Sequence, residues 1–111
     1  MKEPLFVIVH EECITSDMAL HAEGKDNDLI CIESYLSVSK ELSRIKREER
    51  FREVTGDPYQ VEYLIPEGTD QIWVCGAYKI VCVQTHVDAL RKVSKGMAIE
   101  IHEQGTISFC V

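Results

Sequence analysis

The sequence lacks any hydrophobic run long enough to cross a membrane or to form the apolar part of a secretion signal. The apolar run near the N-terminus, Leu5–Val9, has only five residues. Internal repeats and low-complexity segments are also missing. The composition, 45% hydrophobic and 28% charged residues, is ordinary for a globular protein, and 111 residues suit one domain. We therefore predict a single cytoplasmic domain over residues 1–111.

Paired cysteines and excess positive charge are missing as well. The five cysteines include no CxxC pair, which argues against a disulfide scaffold or a zinc ribbon and predicts reduced thiols. Lys and Arg number 12 against 19 Asp and Glu, and a net charge of −7 excludes broad electrostatic binding to nucleic acid. We predict a small-molecule ligand and no nucleic-acid or membrane partner. A small sheet has edges to protect, so a homo-oligomer is compatible with the sequence.

Hydrophobic patterning predicts an α/β fold, a three-layer sandwich with a mostly parallel sheet of four or five strands. The segments predicted as strands are Leu5–Val9, Val61–Ile65, Asp70–Cys75 and Met97–Ile101. One helix is predicted to end near Gly56, with an inner stripe of Leu36, Val38, Leu42 and Ile45 and a solvated, charge-paired outer face. A second is predicted over Ile80–Lys95, with inner positions Val83, Val87, Leu90 and Val93.

Other segments are less regular. Thr15–Asn27 is predicted as mostly loop, Leu29–Ile32 as a short strand or the start of a helix, and Gly105-Thr106 as the opening of a turn. Cys75 and Trp73 are predicted to be core residues, and His21 and His102 to be exposed.

Two segments follow predicted strands at the edge where parallel α/β sheets bind ligands. These are His10-Glu11-Glu12 and the stretch from Gly76 to Cys82. Cys82 is predicted to lie at or near the start of a helix, where the helix dipole favours a thiolate. Backbone N–H groups between Tyr78 and Cys82 could hold a developing oxyanion. This pattern favours a cysteine nucleophile at position 82, although a free cysteine is also often a small buried hydrophobe.

The same stretch resembles the nucleophile segment of the isochorismatase-like cysteine hydrolases, a group that includes the nicotinamidases. The matching residues are Gly76 at the strand end, Cys82-Val83, the helical Thr85 and the pair Asp88-Ala89. The resemblance covers about Ile72 to Thr106. It implies an α/β fold and attack by Cys82 on an amide or related carbon. At the position of the family's aspartate after the first strand, this chain has His10.

The remaining site predictions surround Cys82. His10 is predicted as the base or orienting partner of Cys82, with Glu11 or Glu12 holding its imidazole. The alternative is that His10 is a surface residue at the start of a loop. Tyr78 and Ala77 are predicted to line the ligand site, with a half-exposed loop position as the alternative for Tyr78.

No cofactor or metal is predicted, but the histidine and cysteine spacings leave one alternative open. Cys82 and His86 are four residues apart, and His10 and Cys13 are three apart, so the four could form a tetrahedral zinc site. The predicted function is a small isochorismatase-like protein that acts as a hydrolase through Cys82. The alternative is a non-catalytic binding or interaction domain in which Cys82 is structural.

Overall fold

The fold is a four-stranded parallel sheet with helices, seen in a computed structural model that describes residues 3–22, 29–55, 65–94 and 96–108. In chain order the elements are β1 (Glu3–Val9), α1 (Glu11–Ala22), α2 (Leu29–Glu48), β2 (Phe51–Val54), β3 (Thr69–Ala77), a π-helical turn (Lys79–Val83), α3 (Gln84–Val93) and β4 (Ala98–Ile107). The α/β class and the parallel sheet predicted from the sequence are confirmed. Within the described ranges, no helix combines the length and apolar character needed to cross a membrane.

The strands lie in the order β2-β1-β3-β4. In the two central strands, Val9 at the end of β1 is paired with Gly76 near the end of β3. The chain passes from β1 to β2 on one side of this central pair and from β3 to β4 on the other. The direction of winding therefore changes between β1 and β3, which makes the carboxyl ends of these two strands a topological switch point.

Two hydrophobic clusters, one on each face of the sheet, explain why the sequence of β1 is uninterruptedly apolar. Leu5, Val7 and Val9 pack into one cluster, and Phe6 and Ile8 into the other. Successive side chains of a strand point to opposite faces of its sheet, so a strand covered on both faces needs apolar residues throughout. The first cluster includes residues from the turn and α3 (Val83, Val87, Leu90), and the second includes residues from α1 and α2 (Ile14, Tyr35, Val38, Leu42, Ile45).

Helix α1 corrects the prediction of a loop over Thr15–Asn27. The helix begins at Glu11 and continues to Ala22; residues 23–28 lie outside the described ranges. Among the side chains of this helix that the structure describes, residues 11–19, Ile14 is the buried one. The segment has no one-sided apolar stripe from which a helical period could be recognised. Two acidic residues in the first turn interact favourably with the helix dipole. Packing against α2 also stabilises the helix, and this contact cannot be recognised from the sequence of α1.

Helix α2 begins at Leu29, so the open choice for Leu29–Ile32 is settled as helix. It ends at Glu48, and the predicted end near Gly56 is wrong because strand β2 follows at Phe51. The sequence does not indicate this strand, because Arg52 and Glu53 are charged and exposed. β2 lies at the edge of the sheet, where charged side chains are common.

The predicted inner stripe of α2 is wrong at one position. Leu36 is 51% exposed, and Tyr35 is buried in its place at 3% exposed. The other three members of the stripe, Val38, Leu42 and Ile45, are buried as predicted.

Strands β3 and β4 are longer than predicted. β3 continues through Gly76 to Ala77, and β4 runs to Ile107, straight through the residues predicted to open a turn at Gly105-Thr106. The pairing of β3 with β4 shifts register between Val74 and Gly76. Gly76 therefore lies at an irregularity of the strand, a position where glycine is common, and does not end the strand as predicted. Of the predicted strand Val61–Ile65, residues 61–64 lie outside the described ranges and Ile65 belongs to no strand.

The predicted helix Ile80–Lys95 is divided in the structure. A π-helical turn covers Lys79–Val83 and α3 continues to Val93, while Lys95 and the side chain of Val93 lie outside the description. Val83, Val87 and Leu90 are buried as predicted.

An ion-pair network joins α2 to β4. Glu41 accepts hydrogen bonds from Arg44 at 2.6 and 2.9 Å and pairs with His102, and Arg44 also reaches Glu48 at 3.4 Å. The Arg44 bonds, together with the His102 bond and against the effect of burial, lower the pKa of Glu41 to about 2. The expected i,i+4 pairing is present, but the prediction that His102 is exposed is wrong, because its ring packs on those of Phe6 and Trp73. Trp73 is half-buried, and His21 has no described side chain.

Candidate functional site

The corner between β1 and α1 forms one wall of the candidate site at the switch point. His10 occupies this corner with a φ of 50°, in the left-handed region that few residues other than glycine adopt. Its N–H donates to the Val54 carbonyl at 2.9 Å, and its carbonyl accepts from the N–H of Cys13 at 3.0 Å. The backbone of His10 is thus held on both sides.

The first turn of α1 presents three side chains with different surroundings. Glu11 accepts bonds from the ammonium of Lys46 at 2.7 and 2.9 Å. Glu12 is exposed, and Cys13 is half-buried. The ligand atoms of His10, Glu12 and Cys13 all lie within 4.8 Å of one another. Glu11 is therefore tied to α2, while its neighbour Glu12 stands with the imidazole and the thiol.

The turn after β3 forms the opposite wall. Cys82 lies in this π-helical turn, is half-buried, and packs against the cluster that contains Val83 and Leu90. Burial raises the pKa of the Cys13 thiol, and electrostatic interactions with Glu12, Asp17 and Cys82 raise it further. The two thiols of Cys13 and Cys82 are therefore close enough to interact electrostatically, although they come from different elements.

His86, one turn further along the chain, is buried at 1% exposed. Its ring and that of His10 have centroids 6.3 Å apart in an edge-to-face arrangement. All four residues of the zinc alternative thus gather at one edge of the sheet: His10 with Cys13, His86 beside His10, and Cys82 near Cys13.

Asp17 was not singled out from the sequence, and it joins three elements. The hydroxyl of Tyr35 in α2 donates to its carboxylate at 2.8 Å, and the hydroxyl of Tyr78, just after β3, donates to the same oxygen. Burial raises the pKa values of both tyrosines, and the bond to Asp17 raises them further. Asp17 lies four residues after Cys13, so one face of α1 presents both side chains to the site.

The predicted site residues are distributed over this edge. His10, Tyr78 and Cys82 follow the ends of β1 and β3, as the sheet-edge rule implies. Ala77 is fully buried in the core cluster beneath them, and Glu11 is paired with Lys46. Glu12 was considered only as a residue that could hold the imidazole, and Cys13 only as a ligand in the zinc alternative. Asp17 and Tyr35 were missed.

The backbone of the turn restricts the predicted oxyanion hole. The N–H groups of Val81 and Val83 both donate to the Tyr78 carbonyl at 3.1 Å. Val81 therefore does not offer its N–H to a ligand, and the N–H groups of Lys79, Ile80 and Cys82 remain as candidates from the predicted stretch.

Cys75 and a groove beside α2 fall outside the site. Cys75 is fully buried, as predicted, with its thiol directed at the Val7 carbonyl at 3.6 Å, and burial raises its pKa to about 12. An open groove of about 500 Å³ between α2 and β4 has Glu33 and Glu103 among its lining residues and includes neither His10 nor Cys82.

Comparison with known proteins adds no relative to this description. No protein-family model, curated protein or solved structure matches the chain. The resemblance to isochorismatase-like cysteine hydrolases therefore stays a prediction based on the residues from Gly76 to Ala89.

Proposed function

We propose that the chain is a small isochorismatase-like hydrolase in which Cys82 attacks the carbonyl carbon of an amide or a related small molecule. The observation that supports this most directly is the position of Cys82 in the turn after β3, at the switch point between β1 and β3. Open parallel sheets bind their ligands at such points.

The surroundings of Cys82 suit a thiol that must meet a ligand. It is half-buried, whereas Cys75 in the strand below is fully buried. His10 lies at the end of the neighbouring strand, since the register pairs Val9 with Gly76. In the proposed site, Tyr78 borders the ligand while its hydroxyl is bonded to Asp17.

The proposed reaction has two steps. The Cys82 sulfur bonds to the carbonyl carbon, the C–N bond breaks, and the amine leaves with a proton delivered through His10. Water then attacks the thioester and releases the acid and the free thiol. Turn N–H groups would stabilise the oxyanion formed in each step. His10 takes the place that the family gives to an aspartate, so the general base would be an imidazole.

A screen of small primary amides for ammonia release tests this proposal. We expect Cys82→Ala to reduce turnover at least about 1,000-fold, because the nucleophile is lost. Cys13→Ala is the matched control, a half-buried thiol at the same edge, and it should keep turnover within about 10-fold. Equal turnover by wild type and Cys82→Ala would refute the assignment.

Alkylation separates this function from the alternative of a non-catalytic binding domain. Iodoacetamide at pH 6, followed by peptide mapping, should modify Cys82 much faster than the other four thiols, including Cys13, which is half-buried as Cys82 is. Modification of Cys82 no faster than of Cys13 would favour a structural Cys82 and a domain that binds without turnover.

A cytoplasmic location, a small-molecule ligand and self-association complete the proposal. The turn that holds Cys82 also exposes Ile80 (74%) and Val81 (43%), apolar surface that a second copy could cover. Sedimentation of wild type and Ile80→Asp should give a dimer and a monomer respectively, and a monomer for both would remove this part.

A further inference from the structure

The β1–α1 corner gathers three different metal-binding side chains, of which the proposed hydrolysis uses only one. We propose that His10, Glu12 and Cys13 form a Zn²⁺ site with its fourth coordination position open to water or a ligand. The observation that leads to this assignment is the approach of an imidazole nitrogen, a carboxylate oxygen and a thiol sulfur to within 4.8 Å of one another.

The distances suit a tetrahedral ion after small side-chain movements. Zinc bonds of about 2.0–2.3 Å place neighbouring ligand atoms about 3.5 Å apart. All three side chains are half-buried or exposed, so none is locked in the core and each can rotate by the remaining ångström. Three protein ligands with one open position is the arrangement of reactive zinc sites, whereas structural sites use four.

The backbone of the corner holds these ligands in place before any metal binds. Hydrogen bonds from His10 to Val54 and from Cys13 to His10 fix the corner between strand and helix. His10 also keeps a φ of 50°, where glycine would be less strained. A strained, non-glycine residue that is held firmly at a sheet edge is typical of functional positions.

The charges and donor types select the ion. A thiolate and a carboxylate neutralise a divalent cation, and a neutral imidazole completes the set. Thiolate and imidazole favour Zn²⁺ over Mg²⁺ or Ca²⁺, which prefer oxygen ligands. Asp17, one helical turn after Cys13, adds negative charge nearby without being a ligand, and the chain as a whole is acidic.

This site goes beyond the proposed hydrolysis and is separable from it. Cys82 is not a ligand, and neither Glu12 nor Cys13 takes part in the reaction. The two functions share only His10, so bound Zn²⁺ would remove the imidazole from Cys82 and suppress turnover. Co²⁺ bound in place of Zn²⁺ absorbs in the visible, so metal binding can be measured whether or not any amide is hydrolysed.

Titration of the full-length, reduced protein with Co²⁺ and then Zn²⁺ tests the site. We expect one equivalent of Co²⁺ to produce intense visible bands of a tetrahedral ion and a thiolate-to-cobalt charge-transfer band, both removed by Zn²⁺. Cys13→Ala should abolish the charge-transfer band and weaken Zn²⁺ binding at least about 100-fold, and Glu12→Gln should weaken it about 10-fold.

Further variants keep the test independent of folding. His10→Gly should keep or improve stability, because glycine accepts the positive φ, yet lose metal binding. Glu67→Gln, on an exposed turn, and Cys82→Ala should bind Zn²⁺ like wild type. The proposal is overturned if wild type takes up no Co²⁺, if Cys13→Ala and His10→Gly bind as wild type does, or if Cys82→Ala loses the site.

Discussion

Gly76 should be the least replaceable glycine among those described, and Gly76→Ala is the sharpest test of the central strand pair. Its φ of 113° lies where side chains are strained, and an added Cβ would stand 2.0 Å from the Val9 carbonyl oxygen and 2.7 Å from the Val9 nitrogen. Both contacts are with backbone in the middle of the sheet, which cannot rotate away.

Two costs add in this variant. Backbone strain at such a φ is worth about 1–3 kcal/mol and overpacking of a core about 1–3 kcal/mol, so we expect a loss of about 4 kcal/mol. The free energy of unfolding of an ordinary domain is about 5–15 kcal/mol, so this loss is a large part of it. We expect the Tm to fall by about 15 °C or more.

Gly68→Ala is the matched control because Gly68 has a φ of 83° but no atom within 4 Å of an added Cβ. It should cost only the conformational strain, about 1 kcal/mol. Urea unfolding followed by circular dichroism gives both values. If Gly76→Ala loses no more stability than Gly68→Ala, the close approach of β1 and β3 at the candidate site is wrong.

Three further predictions concern the packing of α2, the pH dependence of stability and the titration of two tyrosines. Leu42→Ala should cost about 2–5 kcal/mol, since Leu42 is 1% exposed, whereas Leu36→Ala should change stability by less than about 0.5 kcal/mol; equal losses would contradict the orientation of α2. Because the pKa of Glu41 is lower in the folded chain, its stabilisation is complete above about pH 4.5 and is lost as the pH falls toward 2. The shift corresponds to about 3 kcal/mol, and partial exposure of Arg44 (37%) reduces our expectation to about 1–2 kcal/mol, which Glu41→Gln should remove from the acid-unfolding curve. Asp17→Asn should move the alkaline titration of the two tyrosine hydroxyls bonded to it to lower pH, and an unchanged tyrosinate absorbance curve would refute that bonding.

The hydrophobic pattern of the sequence predicted those elements in which the apolar residues are either continuous or spaced at the helical period. The uninterrupted apolar run of β1 indicated a strand covered on both faces, and the stripe with Val83, Val87 and Leu90 indicated a helix with one buried side. Alternation of such segments was enough to predict an α/β fold with a parallel sheet. The position of Cys82 after a central strand followed from the same order of elements.

Elements that depend on distant partners were not predictable from the chain alone. β2 is a strand because it pairs with β1, although half of its residues are charged, and α1 is a helix without an apolar stripe of its own. β4 passes through Gly105-Thr106 because β3 lies beside it, where a local rule predicts a turn.

The candidate site divides in the same way. The sequence determined its chemistry, by placing histidine, acids and cysteines after strands that could be recognised. It predicted no metal, and the spacings of His10 with Cys13 and of Cys82 with His86 left a zinc site only as an alternative. Tertiary structure alone decided which side chains meet: Glu12 stands beside Cys13 while Glu11 is bound by Lys46, and Asp17 receives hydroxyls from two other elements. Such choices depend on helix rotation and strand register, which are set by packing across the whole sheet and not by neighbours in the chain.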